Sequence, residues 1–530
     1  MKTIDQIAAE LAGYDPTSLR ADKVNAFLAE LVSPVTETET LPLFDALGRV
    51  LAQDVISPIS VPPHDNSAMD GFAFDGAQLQ SNQSLTLTVI GTALAGKAWQ
   101  GTVKAGECVK IMTGAIMPEG LNTVVPQEMV TVEVALNNDA TSISSICIAP
   151  NTLNLGDNRR FAGEDLMQGK PALSQGDTLT PAALGLVASL GLPSVTVFRK
   201  LRVAYFSTGD EILSLGQAPR EGAVYDSNRY TVFGLLTRMG CEVIDMGVVR
   251  DEPALLEAAF IQAASKADAI ITSGGVSVGE ADYTRAMMKK LGADSGGVAF
   301  WRIAMRPGRP MAVGRITAKN MAKSASSRRN DCLDCYENNS AILFGLPGNP
   351  VAVMVTFLAF VRPALLRMMG ANAKPLPLLK AISLEPIRKK PGRTEYQRGI
   401  VTTQADGSLQ VKTTGNQGSG VLSSMSQANG LIVLHHDQGS VNMGDAVDVA
   451  HFMDLCALLG VPTPGSSAQD GTDDYIFEQD TLLLGEARGY ADVFKRGFFA
   501  WENKAPGKDL DKALKQLLGY SLALSTRRSW

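Results

Sequence analysis

Apolar residues recur at two different spacings along the chain, and the places where the spacing switches divide it. Val24, Phe27, Leu28 and Leu31 fall at helical spacing, and Leu43, Leu47, Val50 and Leu51 repeat it. Residues 1–60 therefore read as a helix, a polar break and a second helix. Tandem Pro62 and Pro63, followed by the Asp70-Gly71 pair, mark a loop. Short strand-like runs then follow at 85–90, 107–112, 123–128 and 142–148, making 61–148 a β-rich unit. Residues 149–177 lead back to the helical segment, so the β unit reads as an insertion. From 178 to 370 apolar strands at 202–206, 241–249, 269–272, 298–305, 311–316 and 341–344 alternate with helical patterns at 230–239, 254–266, 283–291 and 351–369. That alternation predicts a central doubly wound, mostly parallel sheet covered on both faces. Residues 371–457 return to short strands with polar turns, the pattern of a small β-barrel. The expected fold class is multidomain α/β plus β.

Two stretches stand outside this scheme. Residues 317–340 are polar, carry Lys319, Lys323, Arg328 and Arg329, and contain Cys332 and Cys335. One cysteine pair with no second pair and no nearby His is a poor zinc site, so the stretch reads as a surface loop interrupting the α/β domain. Residues 458–530 open on a Pro/Gly/Ser linker and continue with aromatics from Tyr475 to Trp501 and a helical stripe at Leu510, Leu514, Leu517 and Leu518. This extension has enough apolar content to pack, and its role is unassigned.

Composition narrows the class. A chain of 530 residues exceeds one ordinary core, and 45% apolar with 19% charged residues is a soluble globular balance. A net charge of −6 argues against nucleic acid as a partner. The N-terminus lacks the apolar centre of a signal peptide, and the longest apolar run, 351–361, is broken by Arg362 and too short for a bilayer. No membrane is expected. Six scattered cysteines suit a reducing compartment, and the cytoplasm is the expected location.

In an open α/β sheet, ligands bind beyond the carboxyl ends of the strands. Four polar turns fall there: Ser207 to Glu211, the region of Arg250 and Asp251, Thr272 to Asp282, and Gly345 to Pro350. The third joins small residues (Ser273, Gly274, Gly275), a hydroxyl (Ser277) and two acids (Glu280, Asp282) in one strand-to-helix turn, a good setting for an anion. A tight βα connection accounts for the same residues structurally. In the fourth, Asn349 and Pro350 suit a helix cap, whereas Gly345, Pro347 and Gly348 suit an anion cradle. Neither a dinucleotide fingerprint nor a Gly-Lys-Ser/Thr phosphate loop is present, and four His make a His-based triad or zinc site improbable. The edge instead gathers Glu211, Asp251 and Asp282 with Arg302, Arg306 and Arg309. Arginine forks match oxyanions and carboxylates hold hard cations, so a phosphate or other oxyanion handled with a divalent metal is the chemistry indicated. Ordinary surface ion pairs are the competing account.

Five motifs in order, Asp65 to Gly71, Ser207 to Glu211, Ser273 to Tyr283, Pro307 to Pro310 and Gly345 to Pro350, resemble those of the molybdopterin molybdenumtransferases, the MoeA and gephyrin E-domain family. The resemblance covers about residues 5 to 455. It implies a helical N-terminal segment, an inserted β domain, a central MoaB-like pterin-binding domain, a C-terminal barrel and a homodimer. It also implies a Mg²⁺-dependent transferase that inserts molybdate into adenylylated molybdopterin and releases AMP. By the same resemblance Asp65, Glu211, Asp251 and Asp282 are the catalytic acids, with Glu211 and Asp282 as metal ligands. Thr113, Arg159, Arg160 and Asp165 match further cleft residues, with Asp65 reaching the cleft of the other subunit. Ser273, Gly274, Gly275 and Ser277 match the pterin phosphate loop, and Pro347 and Pro350 the loop before the long helix. Arg306 and Arg309 stand where many members carry lysine, which keeps an anion site but alters its shape. Expected partners are a second copy, the pterin adenylyltransferase and apo-molybdoenzymes. A pterin adenylyltransferase and a gephyrin-like scaffold are the alternative functions.

Overall fold

The computed structural model describes residues 2–137, 140–275, 283–293, 296–317, 340–372, 377–404 and 406–450, together with strands at 475–482, 488–495 and 499–501. Helices α1 (Ile4–Glu10) and α2 (Ala21–Leu31) open the chain. The stripe Val24, Phe27, Leu28 and Leu31 is at most 1% exposed. Each such side chain contributes about 1.5–3 kcal/mol on leaving water. Beyond Leu31 the helical expectation fails. The chain runs as β1 (Thr38–Pro42), a short 3-10 turn at Leu43–Asp45, and β2 (Val55–Ile56). Leu43, Leu47, Val50 and Leu51 have helical spacing, but Gly48 lies between them at φ +74° and Val50 and Leu51 form bridges to Thr178 and Val197. Tertiary pairing overrides the local pattern.

The inserted unit follows: β3 (Asn66–Ser67), β4 (Gly71–Phe74), β5 (Leu85–Ala93), β6 (Glu107–Ile111), β7 (Thr123–Pro126), β8 (Val130–Asn137) and β9 (Ala140–Ile148). Its six-stranded sheet has the order β7-β4-β6-β5-β9-β8, with a small core on each face. The sequence pattern did not separate β8 from its neighbours. The return leg is extended, not helical. Strand β10 (Arg159–Arg160) pairs with β3, and β11 (Pro171–Leu173) pairs with β2. Helix α3 (Pro181–Ser189) and β12 (Ser194–Phe198) join this leg, because Leu179, Val187, Val195 and Val197 share a core with Leu51 and Val55. Residues 178–198 thus pack with the N-terminal segment, although the sequence grouped them with the α/β sheet.

The central sheet comprises β13 (Arg202–Thr208), β16 (Glu242–Val249), β17 (Ala269–Ser273), β18 (Val298–Arg302), β20 (Pro310–Thr317) and β21 (Ser340–Leu346). Between β13 and β16 lie β14 (Ile212–Leu213), β15 (Val224–Tyr225) and α4 (Ser227–Arg238); β19 (Met305–Arg306) follows β18. The strand order is β16-β13-β17-β21-β20-β18, parallel through β21 and antiparallel beyond it. Helices α5 (Pro253–Lys266) and α6 (Tyr283–Gly292) cover one face. On the other face lie α2, α4 and a long helix made of α7 (Pro350–Thr356), a π-turn at Phe357–Val361 and α8 (Arg362–Met368). Residues 350–368 are long and apolar enough to cross a membrane, but 67% of that window is buried in the protein.

The last compact unit is β22 (Leu378–Ser383), β23 (Thr394–Thr403), β24 (Leu409–Thr413), α9 (Ser423–Gln427), β25 (Gly430–Leu434) and β26 (Ala446–Ala450). Strands β22 to β26 close into a five-stranded barrel around Val401, Val411, Ile432 and Val447. Strands β27 (Tyr475–Leu482), β28 (Arg488–Lys495) and β29 (Phe499–Trp501) form a separate three-stranded sheet. The cysteine pair at 332 and 335 and the leucine stripe at 510–518 lie outside the described residues.

Candidate functional site

The direction of chain crossover reverses between β13 and β17, so a crevice opens beyond their carboxyl ends. Ser207 and Ser273 are register partners across that reversal, 1% and 2% exposed. Their hydroxyls lie 3.2 Å apart, and Tyr205 Oη lies 2.9 Å from Ser207 Oγ and 2.6 Å from Ser273 Oγ. Ser207 donates to Asp226 Oδ1 at 2.9 Å, and the same oxygen caps α4 by accepting from Arg229 N–H. Burial pushes the Tyr205 phenol up, so the ring stays neutral. Ser273 therefore turns its side chain inward.

Gly274 and Gly275 follow at φ +93° and +63°, a conformation that disfavours any side chain. A Cβ on Gly274 would lie 2.5 Å from Thr208 O, and one on Gly275 2.4 Å from Thr284 Cβ. Gly274 N–H donates to Leu346 O at 3.2 Å, tying this loop to the end of β21. There Pro347 is buried, Gly348 is exposed, and Pro350 takes the first helical position of α7. Asn349 makes no side-chain cap hydrogen bond. Asn228 Nδ2 donates to Gly348 O at 2.7 Å, and Val351 N–H donates to Ser419 O of the barrel at 3.1 Å. Ser277 and Asp282 lie outside the described residues, as does Glu280.

The remaining acids gather at the same edge. Glu211 is exposed, and its carboxylate folds over Gly209, where a Cβ would meet Oε2 at 2.6 Å. Asp251 accepts from Thr284 Oγ1 at 3.2 Å, and its own N–H donates to Asp210 Oδ1 at 3.4 Å. Among the described residues no three His, Cys, Asp or Glu side chains form a ready metal site. Arg302, Arg306 and Arg309 are exposed, and Arg306 pairs in register with Glu395 of β23. Close by, the buried Arg398 donates to Ser424 Oγ, Asn416 O and Gly418 O. Burial first, and Arg306 second, lower its pKa to about 10.

The inserted unit carries the other predicted residues. Asp65 accepts from Arg159 Nε at 2.8 Å, from Arg159 Nη2, and from Ala162 N–H at 2.7 Å. The Ala162 N–H, then Arg159, hold its carboxyl below the usual range. Arg159 also lies over the Phe161 ring, 4.9 Å from its centroid. The β3–β10 pairing sets Arg160 opposite Asn66. Thr113 donates through N–H and Oγ1 to Asp70, at 2.6 and 2.8 Å. The Asp165 side chain is exposed. The hydrogen bonds described for this cluster stay within the inserted unit and its return leg, and those of the crevice stay within the α/β domain and barrel.

Sequence reasoning missed Tyr205, Asp210, Asp226, Asn228 and Arg398. The pair Asp226 and Asn228 had a signal: an Asp-Ser-Asn run before a helical pattern is a capping sequence, but the helix was read as starting at Tyr230. A cavity of about 1090 Å³ lies elsewhere, between α2, the long helix and the barrel, lined by residues such as Leu358, Arg362 and Tyr396. None of the predicted site residues lines it.

A mostly parallel sheet with glycine-rich turns and acids at its reversal point defines a ligand crevice of the open α/β class. Family models match in series: the MoeA N-terminal region (domain I and II) over residues 19–191, a probable molybdopterin binding domain over 204–367, and the MoeA C-terminal region (domain IV) over 380–452. A molybdopterin molybdenumtransferase of Haemophilus influenzae is 41% identical over 438 residues, covering 82% of this chain and 99% of the relative. One from Nostoc sp. is 34% identical over 82% of this chain and 94% of its own. The crystal structure of a molybdopterin biosynthesis moeA protein from Pyrococcus horikoshii OT3 superposes with a TM-score of 0.63 at 26% identity, covering 82% of this chain and all of that one. The chain belongs to the molybdopterin molybdenumtransferase family.

Proposed function

We propose that this protein is a transferase that inserts molybdenum into molybdopterin during synthesis of the molybdenum cofactor. The observation that carries this reading is the crevice at Ser207 and Ser273, embedded in a chain that matches its relatives over nearly their whole length. We take the substrate as the adenylylated pterin and the metal source as molybdate. Both are anionic, so their approach needs positive charge and donors. Arg306 and Arg309, exposed on the turn before β20, would supply guanidiniums, and the glycine loop after Ser273 would bring backbone close to a phosphate.

The donor set at the edge also fits Mg²⁺. It is oxygen-only, Glu211 is exposed, and the Asp251 backbone N–H donates to Asp210 Oδ1, which holds the Asp251 turn beside the turn that carries Glu211. Glu211, Asp251 and Asp282 are the residues that would hold the ion, and it would supply charge neutralisation to the pyrophosphate of the substrate. In our reading the protein works as a homodimer in the cytoplasm. Asp65, Arg159, Arg160, Thr113 and Asp165 belong to a different unit from the crevice, and a second subunit would bring its own copy of them to it.

The test is incubation with adenylylated molybdopterin, Mg²⁺ and molybdate. Release of AMP that depends on molybdate is the expected result. Consumption of ATP with unadenylylated molybdopterin, and none of that AMP release, would instead identify a pterin adenylyltransferase.

A further inference from the structure

The first turn of α4 holds two loops at once. Asp226 is 4% exposed and Asn228 is 8% exposed, so neither faces solvent. Through Oδ1, Asp226 accepts a hydrogen bond from Ser207, and Ser207 in turn meets Ser273, the residue that leads into Gly274 and Gly275. Through Nδ2, Asn228 holds the carbonyl of Gly348 in the loop before α7. The parallel pairing of β14 with β15 after Glu211 is fixed as well, because Val224 N–H donates to Glu211 O at 2.9 Å and Asp226 N–H to Leu213 O at 3.0 Å. Asp226 Oδ2 and Asn228 Oδ1 are buried, and none of the described residues donates a hydrogen bond to them. A buried acceptor left without a donor costs stability, and such a cost persists where the arrangement serves a site.

We propose that Asp226 and Asn228 are the positioning residues of the crevice, setting the Ser273–Gly275 loop and the Gly345–Pro350 loop at a fixed separation for the phosphate group of the pterin ligand. Neither touches the ligand. Asp226 acts through the hydroxyls of Ser207 and Ser273, with Tyr205 closing the ring, and Asn228 acts through the backbone of Gly348. The inference rests on the proposed function for the identity of the ligand, but the positioning role has a readout that does not involve it.

The experiment compares Asp226→Ala, Asp226→Asn, Ser207→Ala and Asn228→Ala in the full-length protein. In the first arm, amide hydrogen exchange is followed in the ligand-free protein. Gly274 N–H, bonded to Leu346 O, should exchange at least tenfold faster in Asp226→Ala and Ser207→Ala, and at the wild-type rate in Asp226→Asn, whose amide oxygen still accepts from Ser207. In the second arm, molybdopterin affinity is measured on the folded fraction. Asp226→Ala and Asn228→Ala should each weaken it at least tenfold, whereas Asp226→Asn recovers it to within about threefold. Wild-type Gly274 exchange in Ser207→Ala, with the fold intact, overturns the proposal. So does equal weakening by Asp226→Ala and Asp226→Asn, which marks a charge effect. If the wild-type protein does not bind molybdopterin, the functional reading fails, and the exchange arm still decides the positioning role.

Discussion

The two groups of candidate residues are built in opposite ways. At the sheet edge Ser207, Ser273 and Asp226 are all nearly inaccessible, joined by hydroxyl contacts, and the glycines beside them are hemmed in by Thr208 and Thr284. On the inserted unit Asp65 and Arg159 keep 28% and 26% of their side chains exposed and rely on a charged pair. A buried hydroxyl network fixes geometry before any ligand arrives, because an unmade bond there costs the full desolvation of its members. A half-exposed ion pair fixes little by itself and stays available to whatever docks on it. The described part of the edge is therefore preset, and the Asp65 cluster is a partly exposed ion pair that our proposal makes available to a second subunit. Met69, Phe161 and Met167, near it in sequence, are exposed apolar side chains, which a second subunit would cover in the proposed homodimer.

The strongest way to break this comparison is subunit mixing. Glu211→Ala and Asp65→Ala should each lower turnover by about 10²–10³, the usual loss when a charged group aimed at the reacting centre is removed. If the two groups meet across a dimer, mixed subunits form hybrids in which one of two sites is intact. Activity should then recover to about a quarter of wild type under random exchange. Absence of recovery after verified exchange would show that both groups act within one subunit.

A second, smaller contrast concerns backbone tolerance. Gly275→Ala puts a Cβ 2.4 Å from Thr284 at φ +63°, whereas Gly114, beside Thr113 at φ +76°, has nothing within 4 Å. Denaturant unfolding should show a loss of about 3 kcal/mol or more for Gly275→Ala, against about 1–2 kcal/mol for Gly114→Ala, where only left-handed strain applies. Equal losses would mean that the edge relaxes as readily as the rim. Arg306→Lys sits lower still. A point charge replaces the fork at an exposed position, so an effect within about tenfold on the apparent KM for the anionic substrate is expected in steady-state assays.

How much of this was legible beforehand follows the same divide. The turns after β13, β17 and β21 could be placed because strand, glycine and helix signals recur in order, and sheet topology sends all three to one edge. Tyr205 could not be placed, and Asp226 was legible only as a helix cap. A tyrosine in an apolar strand reads as core, and only the register Ser207–Ser273 shows that its hydroxyl has partners. Leu43 to Leu51 misled for the converse reason. Their spacing is helical, but the stretch makes long-range hydrogen bonds with Asp177, Leu179, Pro193 and Phe198, contacts that no local pattern carries. On the inserted unit the motif Asp65 to Gly71 was plain, yet Arg159 as its ion-pair partner came only with the β3–β10 pairing.

The least effect, and a clean one, is pH dependence. The Ala162 N–H and Arg159 depress the Asp65 carboxyl in the folded protein. Stabilisation by a depressed carboxylate is complete above its unfolded value, near about 3.9, and is lost as pH falls through the lower folded value. The difference in unfolding free energy between wild type and Asp65→Asn, worth about 1 kcal/mol for a pair this exposed, should hold steady above about pH 5 and vanish on acidification. Tyr205 has the opposite sign. Burial raises its phenol, so its folded form stays neutral, and any contribution is present below the ordinary value of about 10 and lost only in stronger alkali. Tyr205→Phe should therefore shift stability by the same amount at every pH from about 5 to about 9. A Tyr205→Phe difference that shrinks toward acid, in parallel with Asp65→Asn, would show that the Tyr205 contacts depend on charge, and the division between a preset hydroxyl network and an exposed ion pair would fall.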